Sequence, residues 1–510
     1  MLLKEILKNI DFNHQNEINS IPDIEISGIA FDNRKVEKNF LFCALIGEIS
    51  DGHKFIPNAI NSGAVAIICQ DDSLKSQFPS IIFIKVNNSR LAAAIASQNY
   101  YGNTSKNINF IGITGTNGKT TTSFLIANIF HLIGNDRKLG EKNNNAVHKQ
   151  RKVGVIGTTG IFYGKKNYPS AHTTPESLEL AKIINAMSND GIDTIAMEVS
   201  SHSLVQQRVA GINFSAALFT NLTHEHLDYH KTMHEYAKAK KILFDHLDKN
   251  SIAIAMDYQE YSQYILKDSP SQRKILIGYS ENNDIFISDY KLNVDYTEFT
   301  LKFNYLDGKP SHTFKTKLIG KFNIENSSLA IAYFISIGYD IDLINRVLPY
   351  ANGAPGRMDR KILKNGSIAI VDYAHTPDAL EKALLTCKEI LKNKPMNKLI
   401  AVFGCGGDRD TTKRPLMGKI ATEIADTTII TDDNPRTEDS AIIRKQIIAG
   451  IDINKNNYIE IYPRENALKT ASEIAKQDDI ILIAGKGHET YQIIGTEKFH
   501  FDDKEIISKL

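Results

Sequence analysis

The stretch GITGTNGKTT, residues 112–121, constrains the fold of this chain more than any other segment. It follows a short apolar run and leads into residues 123–132, where apolar side chains recur at helical spacing. The order of strand, glycine-rich loop and helix is typical of a phosphate-binding loop. Position 113 is isoleucine, whereas the generic loop pattern has glycine there, so this loop is a variant. The flanking strand and helix favour nucleotide binding over a chance match.

The residue types in the loop suit a nucleotide bound with Mg²⁺. Gly115 and Gly118 would let backbone amides turn toward the phosphates. Lys119 would place a positive charge beside the β- and γ-phosphates, and the Thr120 hydroxyl would reach the metal ion.

Length and composition exclude several classes of protein. The 510 residues correspond to about three domains of ~150 residues each. A net charge of +1 provides no general attraction to nucleic acid or to an acidic membrane, so we predict neither partner. The 4 cysteines are scattered without a C-x-x-C pair, which is typical of a reducing compartment. No apolar run approaches ~18 residues and the N-terminus is amphipathic, so we predict a cytoplasmic protein.

The predicted fold class is α/β with three domains. Residues 1–105 form a first α/β domain of four short strands with helices between them. Residues 106–345 contain the phosphate loop and include antiparallel strands between 284 and 319. Residues 346–510 alternate strands and helices, as a Rossmann-like, doubly wound parallel sheet does. Residues 135–152 are rich in Asn, Lys and Arg, and we interpret them as a solvated surface insertion.

Polar residues follow two predicted strands of the middle domain. Glu198 comes directly after the apolar run 195–197, where a Mg²⁺ ligand is expected, although a surface glutamate at a strand end is the alternative. His224, His226 and His230 lie close together, but their spacing and the lack of a neighbouring cysteine argue against zinc. Contacts to Mg²⁺ or phosphate fit that segment better.

Four strands of the third domain are each followed by a polar loop. These loops are residues 372–377, 404–410, 432–436 and 485–489. Because parallel strands end at one edge of a sheet, the loops should form a ligand cleft, although four solvated loops are the alternative.

The order of these motifs resembles the Mur ligases. The motifs are GTNGKTT, MEVSSH, NLTHEHLDYH, GKFNIEN, GRM, DYAHTP, FGCGGDRD, DNPR and GKGHE, and the similarity extends from Phe31 to Glu489. The resemblance implies an N-terminal domain that holds a uridine nucleotide, a central ATPase domain and a C-terminal domain that presents an amino acid.

The resemblance also implies site residues. For ATP they are Gly115, Thr116, Asn117, Gly118, Lys119, Thr120, Thr121, Asn323, Asn326 and Arg357. For the UDP-muramoyl dipeptide they are Phe31, Asn33, Thr173, Thr174, Ser200, Gln206 and Arg208, and the family more often has serine where Asn33 stands. For the amino acid they are Arg409, Asp433, Asn434, Pro435, Arg436, Gly485 and Glu489. The implied Mg²⁺ ligands are Thr120, Glu198, His226 and Lys240, and the implied catalytic residues are Lys119, Lys240, His226, His375 and Asp372.

Lys240 aligns with a lysine that the family carbamylates with CO₂. An ammonium group would repel Mg²⁺, whereas a carbamate is an anion with the oxygen ligands that Mg²⁺ prefers. On the sequence alone, Lys238, Lys240 and Lys241 read as a solvated basic helix face. The adjacent Lys241 serves as an unmodified control for Lys240.

The implied reaction is ATP-dependent amide formation through an acyl phosphate, within peptidoglycan precursor and cell-wall synthesis. The amino acid would be meso-diaminopimelate, because Arg436 and Arg409 could each pair with a carboxylate and Glu489 with the distal ammonium group. The alternatives are a lysine-adding ligase of the same family and a folylpolyglutamate synthase-like ligase. From another class, a regulatory nucleotide switch or an inactive binding protein would not need the intact metal and amino-acid sites. We expect a monomer with small-molecule substrates.

Overall fold

The computed structural model describes residues 1–11, 21–47, 50–135, 151–223, 225–392 and 394–510. The predicted insertion at 135–152 lies outside the described residues except at its ends, and so does His224. Internal contacts divide the chain into two units. The first is Met1–Leu276 with Ala332–Tyr339, and the second is Ile277–Ile331 with Asp340–Leu510.

The N-terminal part of the first unit contains the four predicted strands, which pair as a parallel sheet. Its strands, in spatial and chain order, are β1 (Gly28–Ala30), β2 (Phe40–Cys43), β3 (Ala64–Cys69) and β4 (Ile82–Lys85). Its helices are Leu3–Ile6, Ile56–Asn61 and Ser89–Tyr100, and its 3₁₀ turns are Asn33–Lys35, Gly52–Phe55, Ser73–Gln77 and Thr104–Asn107. The third helix begins where the Asn88 side chain accepts hydrogen bonds from the backbone amides of Arg90 and Leu91, both at 3.1 Å.

A second sheet of the first unit carries the phosphate loop. Its strands are β5 (Asn109–Thr114), β6 (Val153–Gly157), β7 (Gly160–Tyr163), β8 (Lys166–Tyr168), β9 (Thr194–Glu198), β10 (Phe214–Phe219) and β11 (Ile252–Met256). The spatial order is β11-β10-β5-β9-β6-β7-β8, parallel from β11 to β6 and antiparallel at β7 and β8. The strands β5 and β9–β11 are almost wholly buried, as parallel strands covered on both faces are.

Helices lie between the strands of this second sheet. They are Lys119–Asn135, Ser177–Asn189, Ser201–Val205, Leu227–His230, Met233–Asp245 and Gln259–Lys267. Two of the three boundaries between the units fall within the strand β12 (Arg273–Gly278) and the helix Lys321–Ser336, and the third falls between Tyr339 and Asp340.

The predicted antiparallel strands belong to the second unit. They are β13 (Ile285–Leu292), β14 (Thr297–Phe303) and β15 (Ser311–Thr316), and both pairings are antiparallel, which confirms the prediction. Along β14 every second residue is buried, because one face of the strand packs on a core and the other does not. The helix Ile341–Val347 and the 3₁₀ turn Leu348–Tyr350 follow later in this unit.

The C-terminal part of the second unit is a six-stranded sheet. Its strands are β16 (Asp359–Ile362), β17 (Ile368–Asp372), β18 (Leu399–Phe403), β19 (Thr427–Ile430), β20 (Tyr458–Glu460) and β21 (Ile480–Ala484), in the order β16-β17-β21-β18-β19-β20. All pairings are parallel except β16–β17, so the predicted doubly wound sheet is confirmed and an antiparallel edge strand is added to it. A hairpin of β22 (Tyr491–Ile494) and β23 (Glu497–His500) follows.

Helices accompany this sheet and include the last element of the chain. They are Pro377–Leu391, Lys413–Ile424, Ser440–Ile448, Arg464–Ile474 and Asp503–Ile507, with a 3₁₀ turn at Ile453–Lys455. Arg464 and Asp503 form an ion pair with two 2.8 Å hydrogen bonds, and both side chains are buried. Arg464 also donates to the carbonyl oxygens of Asp432 and Ala484, at 3.3 and 3.1 Å.

Within the described ranges, every helix is too short or too polar to cross a membrane.

Candidate functional site

The phosphate loop connects β5 to the helix Lys119–Asn135, as the sequence predicts. Gly115 has φ +145° and Gly118 has φ +88°, conformations that side-chain-bearing residues rarely adopt. A Cβ on Gly115 would lie 1.9 Å from Thr220 Oγ1, so the close approach of these two segments requires glycine. Thr116, Thr120 and Thr121 are buried in or next to the loop.

The segment after β10 holds the loop in place. The backbone amide of Thr116 donates to Asn221 O, and the amide of Asn117 donates to Asn221 Oδ1, both at 2.9 Å. Thr220 Oγ1 donates to Asn117 O at 2.5 Å, and Thr223 N donates to Thr116 Oγ1 at 2.9 Å. The loop is therefore held by Thr220 and by the start of the NLTHEHLDYH motif, a role that the sequence did not indicate.

Two lysine amines converge on one backbone carbonyl of the loop. Lys119 Nζ donates to Gly115 O at 2.9 Å and to Thr116 O at 2.7 Å. Lys240 Nζ donates to the same Gly115 O at 2.8 Å. Burial lowers the pKa of Lys240 well below its usual value, and the charge of Lys119 lowers it further.

The helix Met233–Asp245 places its lysines differently from the prediction of a solvated basic face. Lys240 is 1% exposed and Lys241 is 6% exposed, so the prediction was wrong for both. The side chain of Lys238 is 62% exposed, as predicted. Lys241 pairs with Asp245 and lies 3.1 Å from Asp268, whereas the Lys240 amine contacts a carbonyl oxygen and an aromatic ring. The two adjacent lysines thus have chemically different surroundings.

His226 and His230 border this region. The His226 ring lies 5.0 Å from the His202 ring, and burial lowers the pKa of His226, with Glu225 opposing the shift. His230 stacks on Tyr236 with ring centroids 4.9 Å apart, and its Nε2 lies 2.8 Å from Ser201 Oγ. Burial lowers the pKa of His230 to about 4, so its ring is neutral near pH 7.

Glu198 is fully buried at the end of β9, in register with Ile113 of β5. Its carboxylate accepts hydrogen bonds from Thr158, from the amide at 2.9 Å and from the hydroxyl at 3.0 Å. The alternative of a solvated surface glutamate is therefore wrong. The part of the chain that the structure describes contains no group of three or more His, Cys, Asp and Glu side chains suited to a metal.

The donor set can be tested against the chemistry of Mg²⁺. The Thr120 hydroxyl and the Glu198 carboxylate are hard oxygen donors of the kind that Mg²⁺ prefers. Lys240 as an amine supplies no oxygen, but as a carbamate it would add an anionic pair of oxygens. The residues fit the ion on condition that Lys240 is modified.

The residues implied for the muramoyl dipeptide gather around Thr174. Thr174 Oγ1 donates to Glu198 O at 2.8 Å and accepts from the Ser200 amide at 3.1 Å, and Thr174 O accepts from Arg208 Nη1 at 2.9 Å. Gln206 Oε1 accepts from Arg208 Nη2 at 2.6 Å. The structure brings four of the five central-domain residues into one network.

The fifth residue joins this network through a threonine. The Thr173 and Thr158 hydroxyls lie 3.0 Å apart, and Thr158 also bonds Glu198. Glu176 pairs with Arg208 at 2.8 Å, a partner that the sequence did not indicate.

The two residues implied for uridine lie at the edge of the N-terminal sheet. Phe31 follows β1 and packs against the core of that sheet. Asn33 is the first residue of the 3₁₀ turn Asn33–Lys35, and Asp32 directly precedes this turn. Arg34 lowers the pKa of Asp32 to about 2 by hydrogen bonding to its carboxylate.

In the second unit, Asn323 and Asn326 share one face of their helix. Asn323 Nδ2 donates to Ile319 O at 2.8 Å, and Asn326 Nδ2 donates to Asn323 Oδ1 at 3.1 Å. Both side chains are buried. The predicted same-face arrangement is confirmed.

Three further predicted residues gather around Tyr373. The Arg357 guanidinium lies 5.0 Å from the Tyr373 ring centroid, and the His375 ring lies 4.6 Å from it. Asp372 Oδ2 accepts from the Met358 amide at 2.8 Å. Burial raises the pKa of Asp372, although the Arg357 charge opposes the shift. Arg357 Nε is buried and has no hydrogen-bond partner among the described residues.

The loops implied for the amino acid meet at the edge of the six-stranded sheet. Asn434 Nδ2 donates to Glu489 Oε2 at 2.8 Å, and Lys486 Nζ lies 3.2 Å from Asn434 Oδ1 and 3.4 Å from Glu489 Oε2. Burial raises the pKa of Glu489, and the charge of Asp433 adds to the shift. A Cβ on Gly485 would lie 2.6 Å from Asp433 Oδ2. The sequence did not indicate the fully buried Lys486 as a partner of Glu489.

Both candidate arginines border Gly406. A Cβ on Gly406 would lie 2.9 Å from Arg436 Nη1 and 3.9 Å from Arg409 Cγ. Arg436 Nη1 donates to Gly407 O at 2.7 Å, and Gly407 N donates to Asn434 O at 2.9 Å, next to the buried Pro435. The rings of Tyr373 in the first loop and His488 in the fourth lie 5.0 Å apart, so all four polar loops meet at this edge of the sheet, as predicted.

Comparison with known proteins agrees with this geometry. Residues 25–101 match the model of the Mur ligase family catalytic domain, residues 113–334 the Mur ligase middle domain and residues 356–487 the Mur ligase glutamate ligase domain. These three matches confirm the predicted three-domain architecture.

Individual proteins extend the comparison. A UDP-N-acetylmuramoyl-L-alanyl-D-glutamate–2,6-diaminopimelate ligase from Clostridium botulinum is 41% identical, over 100% of this chain and 99% of its own length. A solved structure of a protein with that name has a TM-score of 0.70 at 32% identity, over 100% of this chain and 98% of its own. A folylpolyglutamate synthase from Thermotoga maritima has a TM-score of 0.57 at 16% identity, over 78% of this chain and 90% of its own, which shows a shared fold only. The chain therefore belongs to the Mur ligase family.

Proposed function

We propose that this protein is an ATP-dependent amide ligase that adds meso-diaminopimelate to UDP-N-acetylmuramoyl-L-alanyl-D-glutamate, a step of peptidoglycan precursor synthesis. The relatives that match over the full chain carry this name. The proposal includes the domain boundaries 1–105, 106–345 and 346–510, for the uridine nucleotide, ATP and the amino acid. It also includes a cytoplasmic monomer that acts on small molecules, with neither nucleic acid nor membrane as a partner.

The observation that carries the proposal is the geometry of the phosphate loop. Lys119 and Lys240 both reach Gly115 O, and Glu198 ends the neighbouring strand in register with Ile113. A cationic Lys119, a buried Lys240 that can become an anionic carbamate and a buried carboxylate, all beside a phosphate loop, suit a reaction that brings a carboxylate to a triphosphate. A protein that only binds nucleotide has no chemical need for the second lysine.

The reaction has two steps. A γ-carboxylate oxygen of the D-glutamyl residue attacks the γ-phosphorus of ATP, ADP leaves, and an acyl phosphate forms. The amine of diaminopimelate then attacks the acyl carbon, its proton passes to a base, and inorganic phosphate leaves with the C–O bond electrons. Lys119 neutralises charge on the phosphates and His226 helps to orient the attack, because two anions must approach each other. Asp372, His375 and Arg357 are proposed as nucleotide contacts, with Asn323 and Asn326 beside the adenine.

Mg²⁺ would be held by Thr120, Glu198, His226 and carbamylated Lys240, and it would supply charge neutralisation at the phosphate oxygens. In the modification, the Lys240 nitrogen adds to the carbon of CO₂ and forms the carbamate. A proton from this nitrogen passes to water. The buried position of the Lys240 amine favours the uncharged form that can make this attack. Lys241 is held by Asp245 and Asp268, so it stays an ammonium ion.

The amino-acid donor is assigned from the loops of the six-stranded sheet. Arg436 and Arg409 border Gly406 and would each pair with a carboxylate of the donor. Glu489 would accept the distal ammonium group. Lysine has the ammonium group but one carboxylate fewer, and a site built for a charged partner discriminates against its loss by ~10⁴-fold.

The muramoyl dipeptide is assigned to the network around Thr174, which joins Thr173, Ser200, Gln206 and Arg208. Phe31 and Asn33 would contact the uridine. The Glu176–Arg208 pair fixes the guanidinium at one side of this network.

Release of inorganic phosphate tests the function. We expect phosphate release only when ATP, the UDP-muramoyl dipeptide and meso-diaminopimelate are all present. Replacement of diaminopimelate by L-lysine separates the lysine-adding ligase. Replacement of both acceptor and donor by tetrahydrofolate and glutamate separates folylpolyglutamate synthesis. Phosphate release with lysine at the rate seen with diaminopimelate, or with the folate pair alone, would contradict the proposal.

A further inference from the structure

Tyr236 lies between the phosphate loop and Lys240, and nothing in the motif pattern assigns it a role. It belongs to the helix Met233–Asp245 and is 1% exposed. Its hydroxyl oxygen lies 3.3 Å from Thr116 Oγ1, and the Lys240 amine lies 4.3 Å from its ring centroid. One side chain therefore contacts both parts of the candidate site that must be aligned.

The hydroxyl contact fixes a residue of the loop itself. Thr116 Oγ1 accepts a hydrogen bond from Thr223 N at 2.9 Å and donates to Thr223 O at 3.4 Å, so its second lone pair is left to accept from the Tyr236 hydroxyl. Because Thr116 O also accepts from Lys119 at 2.7 Å, the orientation of Thr116 affects the lysine that binds phosphate. Loss of the tyrosine hydroxyl would leave the Thr116 side chain less restricted.

The ring contact fixes the modifiable lysine. Lys240 is four residues after Tyr236 on the same helix, a spacing at which side chains touch. Its long side chain has several rotatable bonds, and packing against the ring together with the hydrogen bond to Gly115 O restricts the amine to one place. The ring is itself held by stacking on His230, whose Nε2 contacts Ser201 Oγ.

We propose that Tyr236 is a positioning residue of the ligase, which aligns the phosphate loop through its hydroxyl and Lys240 through its ring. The proposal rests on the proposed function. It predicts that the two contacts can be removed separately. Tyr236→Phe removes the hydroxyl and keeps the ring, whereas Tyr236→Leu removes both.

The test uses the full chain with Tyr333→Phe as the matched control. Tyr333 is also 1% exposed, and its hydroxyl accepts a hydrogen bond from Asn109 at 3.4 Å. The first readout is calorimetry, which measures the affinity for a non-hydrolysable ATP analogue. The second is phosphate release, which gives the KM for ATP and the KM for the dipeptide. The third is ¹³C NMR with labelled bicarbonate, which detects the carbamate on Lys240. The first and third readouts do not depend on amide formation.

We expect Tyr236→Phe to raise the Kd of the analogue and the KM for ATP by about fivefold, because the variant loses one hydrogen bond. The KM for the dipeptide and the carbamate signal should stay unchanged. Tyr236→Leu should also lose most of the carbamate signal. If the leucine variant does not fold, Tyr236→Met replaces it, because the flexible methionine side chain adapts to an irregular space.

Three results would overturn the inference: unchanged nucleotide affinity in Tyr236→Phe, an equal loss in Tyr333→Phe, or a full carbamate signal in the folded leucine or methionine variant. Failure of the wild-type protein to release phosphate would instead contradict the proposed function.

Discussion

Arg436 offers the most direct test of the proposed amino-acid donor. The changes are Arg436→Ala and Arg436→Lys. In the structure the side chain uses Nη1 for one hydrogen bond to Gly407 O at 2.7 Å. The backbone amide of Arg436 donates to Ile493 O at 3.1 Å, a bond that either substitution leaves intact. The loop should therefore keep its course in both variants.

The expected effect on catalysis is much larger than the effect on folding. Removal of one partner of a desolvated charge pair costs about 2–5 kcal/mol, which corresponds to about a 30- to 5,000-fold loss in kcat/KM for meso-diaminopimelate. Loss of the single bond to Gly407 O, from a partly exposed side chain, should cost about 1 kcal/mol of unfolding free energy. Arg436→Lys keeps the charge but not the planar fork, so its kcat/KM should fall between those of the wild type and the alanine variant.

The assay is phosphate release with diaminopimelate varied at saturating ATP and UDP-muramoyl dipeptide. Arg360→Ala is the control, because Arg360 also donates to a backbone carbonyl, Val294 O at 2.9 Å, but lies outside the proposed site. We expect wild-type kinetics for the control. Wild-type kcat/KM in Arg436→Ala, or an equal loss in Arg360→Ala, would refute the assignment of Arg436.

Three further predictions concern the loop and the stability of the second unit. Gly115→Ala should weaken binding of the ATP analogue by at least about tenfold, because the new methyl group clashes at a φ that favours glycine; unchanged affinity in calorimetry would contradict this. Arg464→Met should lower the unfolding free energy by about 3–5 kcal/mol in urea titrations, since it leaves the buried Asp503 carboxylate unpaired; adding Asp503→Leu should restore much of the loss, and no recovery would argue against an ion-pair origin. Hydrogen bonding to Arg414 lowers the pKa of Glu438 from 4.5 to about 2, so the stability it adds is complete above 4.5 and is lost as the pH falls toward 2. The stability difference between wild type and Glu438→Gln should accordingly shrink as the pH falls from 4.5 to about 2, and a pH-independent difference would rule out this linkage.

The parallel strands were predictable because both of their faces are covered. The strands β17, β18 and β21 are buried at every position, so each reads as a continuous apolar run bounded by polar loops. The edge strand β16 and the hairpin strand β23 are mostly or wholly exposed, and their polar sequences resemble loops. Their pairing depends on neighbouring backbone, which the spacing of apolar residues does not report.

The loop residues of the site were also predictable, since strand ends and glycine patterns place them. Contacts between distant segments were not. Thr158 bonds Glu198, and Arg208 pairs with Glu176, yet neither pairing leaves a signal in sequence spacing. The burial of Lys240, in contrast, did leave a signal in the sequence spacing. Lys240 lies four residues from both Tyr236 and Phe244, so helical spacing puts it on the apolar face, and the charge of neighbouring lysines concealed that pattern.

The last helix of the chain is coupled to the loop that carries Arg436. Asp503 balances the charge of Arg464, and Arg464 holds the carbonyl oxygens of Asp432 and Ala484, where two of the ligand loops begin. A protein shortened by its final eight residues would retain every candidate ligand contact in the loops but would bury an uncompensated guanidinium directly beneath them. Truncation at this end should therefore disturb amino-acid selection even though the removed segment contains none of the candidate ligand residues.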